Sequence, residues 1–225
     1  MAIGFDAKTL SSLVLSGNSV SYTHTITGSN PFLVIGVITY NFSTGSPSVT
    51  ATCDGAAMTA IANDVIPFSG ANNYRLHAFY TKAPGTGSKS VVATAGSGTG
   101  RLQSVALSYI GVDQISPFLT SNTVNTTDSG SNITASLTTA QTAWWTMVGA
   151  QADTAFTTGG SNTTTLRETN AVVGAADSNG NITAQTGNGV MNFAGGTRGG
   201  GGIIFAFKEA TASIPSSNFL LMGVG

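Results

Sequence analysis

Few side chains in this 225-residue chain carry reactive chemistry, and they can be taken one at a time. The two histidines, His24 and His77, lie inside alternating segments, "SVSYTHTI" (19–26) and "RLHAFYTK" (75–82), not in loops. A histidine titrates near neutrality and serves as a general base when a serine or carboxylate stands beside it. No GxSxG elbow accompanies either one. Glycoside hydrolysis would need a carboxylate pair drawn from Asp54, Asp64, Asp113, Asp128, Asp153, Glu168, Asp177 and Glu209. Most of these flank turn residues, where Asp bridges the backbone. Cys53 is alone, which excludes an intramolecular disulfide and a cysteine-based metal cluster; in "TATCDG" it reads as a small core residue. "DSNGN" (177–181) copies the 1-3-5 spacing of a calcium loop. Ile182 then replaces the glycine at position 6 and Asn188 the glutamate at position 12. Asn-Gly between alternating segments predicts a hairpin there instead. The chain reads as a non-enzyme with no cofactor and no metal.

Two features point to binding. Trp144 and Trp145 are adjacent in "AWWTMVGAQA" (143–152), so a strand sends them to opposite faces. One fills the core, and the other faces solvent, a ligand or another subunit. An outward ring would stack on a sugar; the alternative is a tryptophan under a loop or in a subunit interface, where Trp is enriched. The second feature is the tail "TASIPSSNFLLMGVG" (211–225). Phe219, Leu220, Leu221, Met222 and Val224 form an apolar patch of the kind that marks an interaction site. It is expected to contact a neighbouring subunit, for instance by adding a strand to an open sheet edge; docking on its own sandwich is the other possibility.

The elements that must position these residues are strands. Charged residues make up only 8% of the chain, against about 25% in an average soluble protein. Gly, Ser, Thr and Asn take their place, a composition poor in helix formers and rich in turn formers. "FLVIGVITY" (32–40) is a continuous apolar run that fits a central strand covered on both faces. Alternating or apolar segments at 19–26, 75–82, 89–95, 101–110, 132–139, 143–152, 163–169 and 202–209 are separated by Gly/Asn/Ser clusters. One turn of helix is conceivable near "AKTLSSLVL". The pattern predicts an all-β, antiparallel β-sandwich, jelly-roll-like, as a single domain over 1–210 with 211–225 as tail. No linker and no sequence repeat is visible.

"SVALSYIGVDQISPF" (104–118) shows how such a chain is built. Val105, Leu107 and Tyr109 take one face and Ala106 and Ser108 the other. Gly111 permits a sharp exit, Asp113 can accept backbone N–H groups, and Pro117 ends ladder pairing. Together "PFLVIGV" (31–37), "CDGAAMTAI" (53–61), "LHAFYTKAPGTGSKSVVATA" (76–95) and "ALSYIGVDQISPF" (106–118) resemble a β-sandwich domain that recurs in bacteriophage virion proteins. The resemblance covers 31 to 118 and implies a fold and a virion context, with no catalytic residues; residues 119–225 rest on the strand pattern alone.

A net charge of −1 offers no handle for nucleic acid, and no run approaches the ~18 apolar residues of a membrane span. A neutral hydroxyl and amide surface suits a protein packed against copies of itself. The expected function is that of a non-enzymatic virion structural protein, a capsid decoration, fibre or tail-associated subunit. Its partners are itself and other virion proteins. The alternative is a lectin-like module that binds a surface glycan in host attachment. No basic, then apolar, leader opens the sequence, so assembly in the host cytoplasm is expected.

Overall fold

The computed structural model describes residues 2–40, 42, 47–62, 74–126, 133–151, 157–158, 165–169, 172–184, 189–194 and 200–211. They form strands and connections, with no helix among the described residues. The first half holds β1 (Gly4–Leu10), β2 (Val14–Gly17), β3 (Ser19–Ile26), β4 (Phe32–Tyr40), β5 (Val49–Cys53), β6 (Ala56–Ala57), β7 (Thr59–Ala62), β8 (Arg75–Lys82), β9 (Gly87–Ala95) and β10 (Gly100–Ile110). The second holds β11 (Phe118–Thr126), β12 (Ile133–Leu137), β13 (Ala143–Gln151), β14 (Thr157–Thr158), β15 (Thr165–Thr169), β16 (Val173–Ile182), β17 (Gly189–Ala194) and β18 (Gly200–Phe207). The "AKTLSSLVL" segment lies in β1 and β2 and its connection, not in a helix. Lys8 through Leu10 pair with Leu107 through Val105, and that ladder overrides the weak helical period.

Four sheets result, all antiparallel. An inner N-terminal sheet runs β1-β10-β4-β8-β7, with β2 also on β10, and an outer N-terminal sheet runs β3-β9-β5-β6. An inner C-terminal sheet runs β11-β18-β13-β16-β15, and an outer one β12-β17-β14. The two inner sheets have the same order. In each, the first strand of its half pairs with the last, the last with the third long strand, and so on to the far edge. The outer sheets match in the same way, β3, β9 and β5 answering to β12, β17 and β14. Each half is thus a sandwich of jelly-roll order. A single two-sheet sandwich over 1–210 does not account for this arrangement. Residues 111–117 are the connection between the sandwiches.

Three layers of apolar side chains hold the four sheets together. Leu33, Ile35, Val37, Phe79, Val91 and Ala93 fill the first sandwich. Ala135, Trp145, Met147, Met191 and Ile204 fill the second. The largest layer joins the inner sheets back to back, with Phe32, Val34, Leu107, Tyr109, Trp144, Val148, Ile203 and Phe207. This is why "FLVIGVITY" is apolar throughout. β4 is central in an inner sheet, so its odd and even residues enter different layers, and every one of them is buried.

The inner sheets stack with an approximate two-fold relation. β1 lies over β15 and β16, β4 over β13, and β7 over β11. The ladders place Gly36 opposite Val105 and Val148 opposite Ile203, so Gly36 and Val148 occupy equivalent positions beside the axis. A Cβ added at Gly36 would come within 3.0 Å of Val148 Cβ and 3.4 Å of Val105 Cγ1. The missing side chain lets the central strands approach. Gly36→Val should therefore cost about 1–3 kcal/mol by overpacking. The exchanged pair Gly36→Val with Val148→Gly should recover most of that loss, as read from urea midpoints of the three variants.

Candidate functional site

The densest group of polar side chains lies in the seam between the inner sheets. Arg167 of β15 donates Nε to Asp177 Oδ2 at 2.7 Å and Nη2 to Asp177 Oδ1 at 2.9 Å. Arg167 Nη2 also donates to Asn179 Oδ1 at 2.8 Å, and the Asn179 N–H donates to Asp177 Oδ1 at 2.9 Å. From the facing sheet, the Tyr109 hydroxyl donates to Asp177 Oδ2 at 3.3 Å and accepts from Thr146 Oγ1 at 2.9 Å. The Arg167 guanidinium sits 4.0 Å from the centre of the Phe5 ring, and that ring meets Tyr109 edge-on at 5.8 Å. Lys8 of β1 reaches Glu168 at 3.1 Å beside it.

A bulge in β15 places these groups. In "TLRET", Leu166 packs toward the outer C-terminal layer, and the register shift between Leu166 and Glu168 lets Arg167 turn into the seam beside Glu168. Burial pushes the Asp177 carboxyl above its usual range, against the pull of Arg167, the Asn179 amide and Tyr109. Burial pushes the Tyr109 hydroxyl well above its own, with the Asp177 charge adding to it. Both Asp177 oxygens are taken up by donors within the chain, so this carboxylate acts as an anchor between sheets and not as a base aimed at a substrate.

Asn179 lies in a part of "DSNGN" that is not a hairpin. Trp144 pairs with Asn181 and Thr146 with Asp177, so the intervening residues bulge out of β16. Asn179 takes φ 46°, and Ser178 Oγ accepts the Trp145 N–H at 3.1 Å while donating to Gly180 O at 2.6 Å. The expected turn is a mid-strand bulge because β13 continues past it and supplies partners on both sides.

The tryptophans do point to opposite faces, yet both are buried. Trp144 is 4% exposed in the seam, against Tyr109, and Trp145 is 0% exposed in the second sandwich. The expectation of an outward ring fails because β13 belongs to an inner sheet, with a layer on either side. Neither ring has a face free to stack on a sugar. Phe219, Leu220, Leu221, Met222 and Val224 lie outside the described residues.

Among the described residues, the remaining reactive groups are buried or hydrogen-bonded within the chain; Asp64, Asp128 and Asp153 lie outside them. Desolvation lowers His24 to about 4 against the pull of Asp6, and lowers His77 to about 4 with the Arg75 charge adding to it. Burial and the neighbouring Asp54 charge raise the Cys53 thiol. Asp113 holds the connection between the sandwiches. Its Oδ1 accepts the Ile115 N–H at 2.8 Å and the Ser116 N–H at 3.0 Å, and Lys208 Nζ lies 3.4 Å from Oδ2. The Ser116 N–H and its companions keep this carboxyl below its usual range despite burial. Gly111 turns out of β10 at φ 73°, the Lys208 N–H donates to Pro117 O, and Val112 bridges Glu209, so the connection is pinned to the end of β18.

No protein-family model matches the chain, and no curated protein does. Among solved structures, the STIV MCP is similar over 92% of this chain and 97% of its own at 7% identity, with a TM-score of 0.32. The major capsid protein P2 from Bacteriophage PM2 aligns over 92% and 99% at 8% identity, TM-score 0.29. A chain of the Sulfolobus Turreted Icosahedral Virus structure aligns over 91% and 58% at 14% identity, TM-score 0.29. Likeness at this level does not transfer a function.

Removing Asp177 alone would strand Arg167 in the seam. Asp177→Ala should cost about 3–5 kcal/mol, while Arg167→Met with Asp177→Leu should cost less than the two single losses combined. Denaturant unfolding of the four-protein cycle measures both.

Proposed function

We propose that this chain is a non-enzymatic structural protein of a virus particle, working by contact with copies of itself and with other virion proteins. A capsid decoration, fibre or tail-associated role fits that reading. The observation that carries it is the fate of the charges. Every charged side chain among the described residues is engaged within the chain. Lys8 pairs with Glu168, Lys89 with Asp54, Arg167 with Asp177 and Lys208 with Asp113. Lys82 donates to Ile115 O, Arg75 to Tyr74 O and Arg101 to the Tyr40 hydroxyl. Asp6 accepts from Thr27 and Ser108, and Glu209 from Asn181.

Lys8, Asp54, Lys82 and Arg101 are exposed, each already held by a partner in the chain, and the rest of the described outward face is largely neutral. Ser19, Ser21, Thr23 and Thr25 of β3 are exposed beside Ser88 and Ser90 of β9. An isolated monomer usually relies on unpaired surface charge for solubility. A surface of hydroxyls with few ions, each already held within the chain, suits close packing, since little charge must be desolvated to bring two copies together. The sequence resemblance of residues 31–118 to phage virion domains points the same way. In this reading the apolar tail, with Phe219 to Met222 and Val224, supplies a subunit contact, and assembly takes place in the host cytoplasm.

Light scattering of the full chain and of a version ending at Ser213 tests the proposal. The full chain should be an oligomer that falls to a monomer without its tail. A full chain that stays monomeric at its highest soluble concentration overturns the assembly reading. The glycan alternative has lost its stacking ring, so a glycan array should stay blank; binding that survives Trp144→Phe would reopen it on other residues.

A further inference from the structure

Both histidines of the chain sit in the N-terminal sandwich, one on each of its sheets. His24 is on β3 of the outer sheet and is 0% exposed; His77 is on β8 of the inner sheet and is 5% exposed. Strand parity turns both into the layer between these sheets: His24 shares the face of Val20 and Ile26, and His77 that of Phe79. His24 Nδ1 shares a hydrogen bond with Thr9 Oγ1 at 2.9 Å, and its Nε2 is buried without a partner. His77 Nε2 is also buried without a partner. The second sandwich contains no histidine.

An imidazolium needs an acceptor at both ring nitrogens, and neither ring has one at Nε2. Protonation would bury a cation with an unsatisfied N–H, which a closed layer does not tolerate. The charged and titratable groups around each ring do not remove that difficulty. Facing His24 are Asp6 of β1, already held by Thr27 and Ser108, and Lys89 of β9, opposite in register and bound to Asp54. Tyr22 shares its inward face, and the tyrosine hydroxyl is engaged by Ser104. His77 has the Arg75 cation on its own strand. The flanking β4 and β7 carry no charged residue, and β5 across the layer contributes only the Cys53 thiol.

We infer that the N-terminal sandwich is an acid-sensitive latch: protonation of His24 and His77 drives its outer sheet off the inner one, while the histidine-free second sandwich stays closed. The sign follows from the proton balance. An unfolded histidine takes up its proton near pH 6.5, whereas each folded one resists it down to about 4. Between those values the open state binds more protons, so closure is complete above pH 6.5 and is lost as pH falls toward 4. Once off its core, the outer sheet loses the apolar burial that holds it, so its backbone hydrogen bonds open to exchange. This latch does not depend on the virion reading.

Hydrogen exchange of the full chain, corrected for the intrinsic effect of pH, tests it. Amides of β3, β9 and β5 should lose protection between pH 6.5 and 4, while those of β13, β16 and β18 keep theirs. In His24→Gln/His77→Gln the loss should move down by about one pH unit or more. Loss of both sandwiches at the same pH, or an unshifted variant, overturns the latch. Should the variant fail to fold, NMR titration of the wild-type rings decides. Rings that stay neutral until the outer sheet opens support the latch, and rings that titrate near 6.5 with protection intact refute it.

Discussion

Everything in this protein depends on two sheets being covered on both faces. A sheet with one wet face can alternate apolar and polar residues; an inner sheet cannot. β4, β10, β13 and β18 therefore carry mostly apolar or small side chains on each side, and the layer between the inner sheets is the largest of the three. The distance across it is set where the chain has least to put there, at Gly36 against Val148. With the centre so occupied, most polar residues lie on the outer sheets, the edges and the connections; Thr146 and Asp177 are inner-sheet exceptions, held by Tyr109 and Arg167.

The approximate two-fold makes the one polar corner of the seam informative. By ladder register, Phe5 and Tyr109 correspond to Phe118 and Phe207, Phe32 to Trp144, Val34 to Thr146, and Tyr80 to Asp177. On one side of the axis the set is aromatic and aliphatic: Phe207 meets Phe32 at 5.1 Å, and Tyr80 stacks on Phe118 at 5.7 Å. On the other side Tyr109, Thr146 and Asp177 are hydrogen-bonded, with Arg167 completing the pair. A buried ion pair adds little net stability over apolar packing of the same volume. What it adds here is direction: the fork of Arg167 and the hydroxyl of Tyr109 are satisfied only when the two sheets face each other in this register.

The same accounting of charge links fold to proposed function. In a chain with so few ions, each described one is committed to an internal contact, and several of these contacts tie distant segments together. Lys8 with Glu168 joins the two sandwiches, and Lys208 with Asp113 joins the connection to the last strand. The described exterior is mostly hydroxyls and amides with a few paired ions among them, compatible with crowded association and with little long-range attraction for polyelectrolytes.

The sequence by itself determined where several of the strands run. The spans 19–26, 32–40 and 75–82 appear in the structure with those bounds, since period-2 alternation and unbroken apolar runs are local signals carried by the residues themselves. It also determined the role of Asp113 and Gly111, whose chemistry acts within a few residues. Tertiary structure decided the rest. The duplication left no repeat to read because the matching positions share burial and not identity: Tyr80 and Asp177 are equivalent and have nothing else in common. "DSNGN" became a bulge because a strand far away in sequence continued beside it. Trp144 and Trp145 both vanished from the surface because a second sheet stood on each side of theirs. Arg167 was legible only as a rare cation in a strand, set inward by a bulge that alternation does not show, and its partner Asp177 only as an acid beside a turn signal. What brought the two onto Tyr109 was the stacking of two sheets, and alternation within one strand cannot say how many layers will cover it.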